Sequence, residues 1–92
     1  MAGNNYVRLK CKVLEILKQC AENGETVTSR KLNYDILEIT DYQFFSILKS
    51  LSDQNYISDF IYQETIGDDV PAYNVYGIKI TPEGLEYLDN NQ

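Results

Sequence analysis

This 92-residue chain is predicted to take an α+β fold, with helices flanking a pair of antiparallel strands. Three observations predict it. Residues 39–57 (ITDYQFFSILKSLSDQNYI) read as a capped amphipathic helix running into a strand. Residues 78–88 (IKITPEGLEYL) read as a strand running into a short capped helix. Between them lies a tyrosine-rich, β-favouring stretch broken by an acidic loop that contains Gly and Pro.

The first helix is expected over residues 5–22. Tyr6, Leu9, Val13, Ile16, Leu17 and Cys20 recur at the spacing of one helical face, with Arg8, Lys12, Glu15 and Gln19 opposite. Asn23 and Gly24 end it, glycine being suited to the left-handed position after a last turn. Thr28 or Ser29 is the expected N-cap of a short second helix through Leu32 and Tyr34, with Leu37 its furthest limit.

The third helix is the best marked. Thr40 and Gln43 have the spacing of a capping box, and Asp41 suits the positive end of the helix dipole. Phe44, Ile47, Leu48 and Leu51 form its apolar stripe, with Phe45 at the edge. Tyr42, Gln43, Ser46, Lys49, Ser50 and Asp53 form the outer arc. Residues 56–63 are strand-like, although Ile57, Phe60 and Ile61 break strict alternation and predict a bulge or a twist. Residues 66–71 (IGDDVP) are a loop, and residues 73–80 return as the second strand. Thr81 then caps the last helix, with Pro82 at its first position and Leu85 and Leu88 facing inward.

Three helices, a strand, a loop, a strand and a closing helix is the order of a winged helix. That fold has a three-helix helix-turn-helix core, a two-stranded β-wing and a short C-terminal helix. One domain over residues 1–92 is expected, ordered over about residues 5–89. The expected core is Leu9, Val13, Ile16, Leu17, Cys20, Leu32, Phe44, Ile47, Leu48, Leu51, Ile57, Ile80, Leu85 and Leu88.

Charge bounds the function. Fourteen acids against eight bases give a net charge of −6, which opposes non-specific attraction to nucleic acid or anionic lipid. The balance is uneven: residues 1–34 hold six bases and three acids, residues 35–92 two bases and eleven acids. Neither a membrane-length apolar run nor a signal peptide is visible, so the cytoplasm is the expected compartment. Cys11 and Cys20 lie nine apart on one helix, roughly 13 Å between Cα atoms, too far for a disulfide. Cys20 is expected in the core and Cys11 as an exposed free thiol. The chain contains no His, and no nucleophile motif, P-loop or metal-ligand cluster, so neither enzyme activity nor a metal or cofactor is expected.

The segment Ile39-Thr40-Asp41-Tyr42-Gln43-Phe44, with Asn55-Tyr56-Ile57 after the helical run, resembles the YjcQ-like family of small winged-helix proteins from Gram-positive bacteria and their prophages. Ile80, Thr81, Gly84, Tyr87 and Leu88 are similar to that family's Thr-x-x-Gly-x-x-Tyr-Leu ending. The resemblance covers about residues 7–89. It implies the winged-helix fold and a prophage setting, and it brings no catalytic residues.

Two functions from different classes follow. In a DNA reader of the transcription-regulator type, the third helix would enter the major groove of double-stranded DNA. Gln43, Ser46, Lys49 and Ser50 would face bases, and Arg30 and Lys31 at the start of the second helix would meet phosphates. A dimer would gather more cations. In a protein-interaction module on the same scaffold, Tyr62, Tyr73 and Tyr76 of the strands, with Asp68 and Asp69 of the loop, would dock a basic protein or a second copy. The acids at the wing tip repel phosphate and favour the second reading; the fold favours the first.

Overall fold

The computed structural model describes residues 2–63 and 70–91, with backbone alone for residues 2–5. Among these residues the order is α1 (Ala2–Glu22), α2 (Tyr34–Leu37), α3 (Asp41–Asp53), β1 (Ile57–Ser58), β2 (Ile61–Tyr62), β3 (Tyr73–Asn74), β4 (Lys79–Ile80) and α4 (Pro82–Asn90). Mixed helix and antiparallel strand is thus the observed class.

Three helices end in the same way. Gly24, Glu38 and Asn55 sit at φ +67°, +59° and +68° after α1, α2 and α3. The following N–H groups of Glu25, Ile39 and Tyr56 reach back to the carbonyls of Cys20, Tyr34 and Leu51. This is the Schellman closure, which satisfies carbonyls that a helix end leaves open. Asparagine tolerates the left-handed region, whereas Glu38 occupies it against its own sterics.

The start of α2 differs from expectation. Asn33, not Thr28 or Ser29, is the N-cap, its Oδ1 accepting from the N–H of Ile36 at 2.9 Å. The Thr28 carbonyl instead accepts from the N–H groups of Lys31 and Leu32, forming a turn. Arg30 and Lys31 therefore lie in a turn before the helix. The capping box of α3 is as expected: Thr40 Oγ1 accepts from the Gln43 N–H at 3.1 Å, and Gln43 Oε1 accepts from the Thr40 N–H at 3.0 Å.

Each expected strand splits in two. β1 pairs antiparallel with β4 and β2 with β3, giving two nested ladders rather than one wing. Asp59 at φ +65° breaks the outgoing segment between β1 and β2. On the return, Asn74 Oδ1 accepts from the Tyr76 N–H, and the Ile78 N–H donates to the Val75 carbonyl. That turn places Val75 and Ile78 both in the core, which simple alternation of residues 73–80 does not allow. The Gly77 N–H reaches the Val27 carbonyl at 3.0 Å and ties the turn to the segment after α1.

α1 packs against α3, β4 and α4, and the core lies between them. Because α1 is covered on more than one side, its buried surface is wider than one stripe. Leu14 is fully buried, while Leu9 and Ile16 are only half-buried. Cys11 is buried as well as Cys20, correcting the expectation of an exposed thiol; both are free. The end of α4 covers it, with Cys11 Sγ 3.9 Å from the Asn91 carbonyl, and burial pushes the thiol's pKa up, with Glu15 adding to the shift. In α4 the inward face is Gly84, Tyr87 and Leu88, while Leu85 is 41% exposed. A Cβ on Gly84 would lie 2.2 Å from the Tyr56 carbonyl oxygen, so only glycine lets the two backbones meet there. Leu37, Val27, Val75 and Ile78 join the core beyond those expected, and Ile80 lies at its edge.

Candidate functional site

The outer arc of α3 faces an open groove of about 480 Å³. Tyr42, Ser46, Lys49, Ser50 and Asp53 line it from the helix, and Pro71 lines it from the segment entering β3. The amphipathic spacing explains the arrangement, since burying Phe44, Ile47, Leu48 and Leu51 leaves this polar arc outward. Tyr42 is 58% exposed. Lys49 Nζ is held 2.9 Å from Asp53 Oδ2, one turn along.

Aromatic rings join α3 to the β2–β3 ladder. Phe45, on the flank of α3, meets Tyr62 of β2 edge-on at 5.3 Å and Tyr73 of β3 at 5.6 Å. Phe60 lies 6.1 Å from Phe45 and 5.3 Å from Tyr62, completing the cluster. Tyr73 donates its hydroxyl to Asp41 Oδ1 in the first turn of α3. Burial, followed by that hydrogen bond, pushes the Tyr73 phenol well above its ordinary pKa. The β2–β3 ladder is thereby clamped to α3 by side chains.

A buried cation supports the helix from behind. Lys10 is only 7% exposed, yet its Nζ donates to Gln54 Oε1 at 2.9 Å and lies 5.0 Å from the centre of the Tyr6 ring. Desolvation lowers its pKa. Gln54 caps the C-terminal end of α3, where a cation is favourable and the helix carries no base in its own last turn. Tyr6 also donates to the Ser46 carbonyl at 3.3 Å. The partner of Lys10 lies 44 residues away at the end of another helix, a pairing that linear order does not mark.

Of the residues expected to meet DNA, the structure brings Ser46, Lys49 and Ser50 to one groove. Gln43 is drawn into the cap and lines a separate groove with Arg8 and Lys12. Arg30 is exposed in the turn before α2. Lys31 pairs with Glu25 at 2.9 Å, and this bond holds the Glu25 carboxyl below its usual pKa. Of the tyrosines expected at a protein interface, Tyr62 and Tyr73 are half-buried in the ring cluster, and only Tyr76 is open, at 64% exposure. Asp68 and Asp69 lie outside the described residues. Ile61, which sequence reasoning treated only as a break in alternation, is 72% exposed on β2.

Among the described residues no three His, Cys, Asp or Glu side chains gather to hold a metal ion. No helix among them is long and apolar enough to cross a membrane. The family model described as YjcQ protein matches residues 11–92, and the chain belongs to that family. That match bears out the resemblance read from residues 39–57 and 80–88. No curated protein matches the chain, and no solved structure matches it.

Proposed function

We propose that this chain is a winged-helix module of bacterial or prophage origin that binds double-stranded DNA through the outer arc of α3, as a small transcription regulator does. The observation that carries this reading is the open α3 groove, lined by Ser46, Lys49 and Ser50 of the helix and by Pro71 of the segment entering β3. Residues 38–40 form a three-residue turn between α2 and α3, the connection a helix-turn-helix uses. An antiparallel pair follows the exposed helix, as a wing follows a recognition helix. In this role Asp53 acts as a placeholder on Lys49, which a DNA phosphate displaces. With a net charge of −6, few phosphates are neutralised, so binding is weak and sequence readout carries more of it.

Fluorescence anisotropy with mixed duplex DNA at low and moderate salt tests this. Binding should weaken with a log–log salt slope of about 0.9 per phosphate contacted. The triple variant Arg30→Ala/Lys31→Ala/Lys49→Ala should lose binding, and Asp53→Asn should strengthen it. Wild-type protein that fails to bind at low salt, where attraction is greatest, sinks the reading.

A second reading has its own observation. Ile61 and Tyr76 are large, exposed and on the strand side of the molecule, and the chain is acidic overall. A basic protein or a second copy of this chain docking on that side fits both facts. Size-exclusion chromatography with light scattering, comparing wild type with Ile61→Ser/Tyr76→Ser, distinguishes self-association from a monomer that awaits another protein.

A further inference from the structure

We propose that the groove between α1 and the α2–α3 turn is a phosphate-binding site, which on the DNA reading above holds a backbone phosphate flanking α3. The groove encloses about 390 Å³ and is lined by Arg8 and Lys12 of α1, Glu38 and Ile39 of the turn, and Gln43 of α3.

Arg8 and Lys12 stand one turn apart on the same face of α1, and both are exposed. Among the described residues neither forms an ion pair. Lys31 and Lys49 are bonded to carboxylates and Lys10 is buried; Lys18, Arg30 and Lys79 share the lack of an ion pair among the described residues, but Arg8 and Lys12 are the two that line this groove together. Gln43 adds neutral donors. Its Oε1 is occupied by the Thr40 N–H and hydroxyl, so the amide is fixed with its two N–H donors left for the groove. Two cations and an oriented amide are the groups that bind a phosphate's oxygens. Gln43 lies about 60° around α3 from Ser46, so a phosphate in this groove adjoins the arc that faces bases. Glu38 sits at the rim as a built-in opposing charge, and it moderates affinity.

The test is an NMR titration of the full chain with inorganic phosphate at low ionic strength, following the Gln43 side-chain amide and the Arg8 Nε–H. Saturable shifts of both are expected. Arg8→Ala/Lys12→Ala should weaken apparent affinity by about fivefold, the effect of losing two exposed ion pairs. Glu38→Asn, which tolerates the left-handed backbone there, should strengthen it. Shifts that never saturate, or that persist unchanged in the double variant, overturn the proposal. A parallel titration with duplex DNA separates this site from the reading it rests on. A salt slope lowered by about two in the double variant supports both. An unchanged slope in DNA binding overturns the groove as the seat of a backbone phosphate and leaves the DNA reading standing. Phosphate binding without duplex binding supports the groove while the DNA reading falls.

Discussion

Replacing Gly84 with alanine is a severe perturbation for a single methyl group. The new Cβ would stand 2.2 Å from the Tyr56 carbonyl oxygen, 1.2 Å inside the 3.4 Å at which ordinary contact begins. It would also lie 2.9 Å from Ile80 Cγ1. The carbonyl has no freedom to retreat, because it accepts the Thr81 N–H at 3.1 Å and its own ring stacks on Tyr87 at 4.5 Å. Relief therefore means lifting α4 off β1 and giving up the Thr81 hydrogen bond. Overpacking costs about 1–3 kcal/mol, and the lost bond about 0.5–1.5 kcal/mol more. The better helix propensity of alanine returns up to about 1 kcal/mol. The net loss is about 2 kcal/mol, a fall in Tm of about 8–16 °C for a domain of this size. Urea denaturation and thermal melts followed by far-ultraviolet circular dichroism read both quantities. Glu86→Ala, exposed on the same helix, is the control and should stay within about 0.5 kcal/mol of wild type. A Gly84→Ala protein as stable as wild type would refute the close approach of these two backbones.

Three more outcomes follow from individual residues and their contacts. Thr81 Oγ1 donates to the Asn55 carbonyl at 2.6 Å and accepts from the Gly84 N–H at 3.0 Å, so Thr81→Ala should cost about 1–2 kcal/mol in denaturation and Thr81→Ser should recover most of it. Tyr73 has a raised pKa in the fold, so its contribution is fully present below the unfolded phenol's pKa of about 10 and is lost as pH rises beyond it. Wild type should therefore lose Tm more steeply than Tyr73→Phe between about pH 9 and 11, and parallel curves would remove Tyr73 as the cause. Glu38→Gly relieves a left-handed backbone at φ +59° and should stabilise by up to about 1 kcal/mol, measured by the urea midpoint; a lower midpoint would show that the glutamate side chain contributes more than its strain.

What the sequence made legible was local. The capping box at Thr40 and Gln43, the Thr81–Pro82 start of α4 and the stop at Gly24 depend on neighbours within four residues, and each is found where expected. The α2 start was harder because Thr28, Ser29 and Asn33 are all good caps. The choice fell to Asn33, whose Nδ2 also donates to the Ser29 carbonyl at 2.9 Å. Long-range contacts defeated the rest. Cys11 looked exposed by helix periodicity and is covered by a residue eighty positions away. Leu85 looked like core, yet Gly84 takes the inward position because only there can α4 meet Tyr56. The Thr-x-x-Gly-x-x-Tyr-Leu ending thus has a physical content: cap, close approach, ring stack and core leucine. At the α3 site the residue types were readable, but their partners were not. Nothing in linear order marked which cations were held by Glu25 or which ring would hold Asp41.

The break at Asp59 and the turn at residues 75–78 divide the strand pair into a base and an arm. The base, β1 with β4, packs on α1 through β4 and on α3 through β1. The arm, β2 with β3, leans on α3 through Phe45, Phe60, Tyr62 and Tyr73. The arm is therefore held to α3 by side chains, and the base is held by its own ladder and by helix packing. Trading one ring for a smaller or larger side chain would reset where the arm lies on α3 while the β1–β4 register stays fixed.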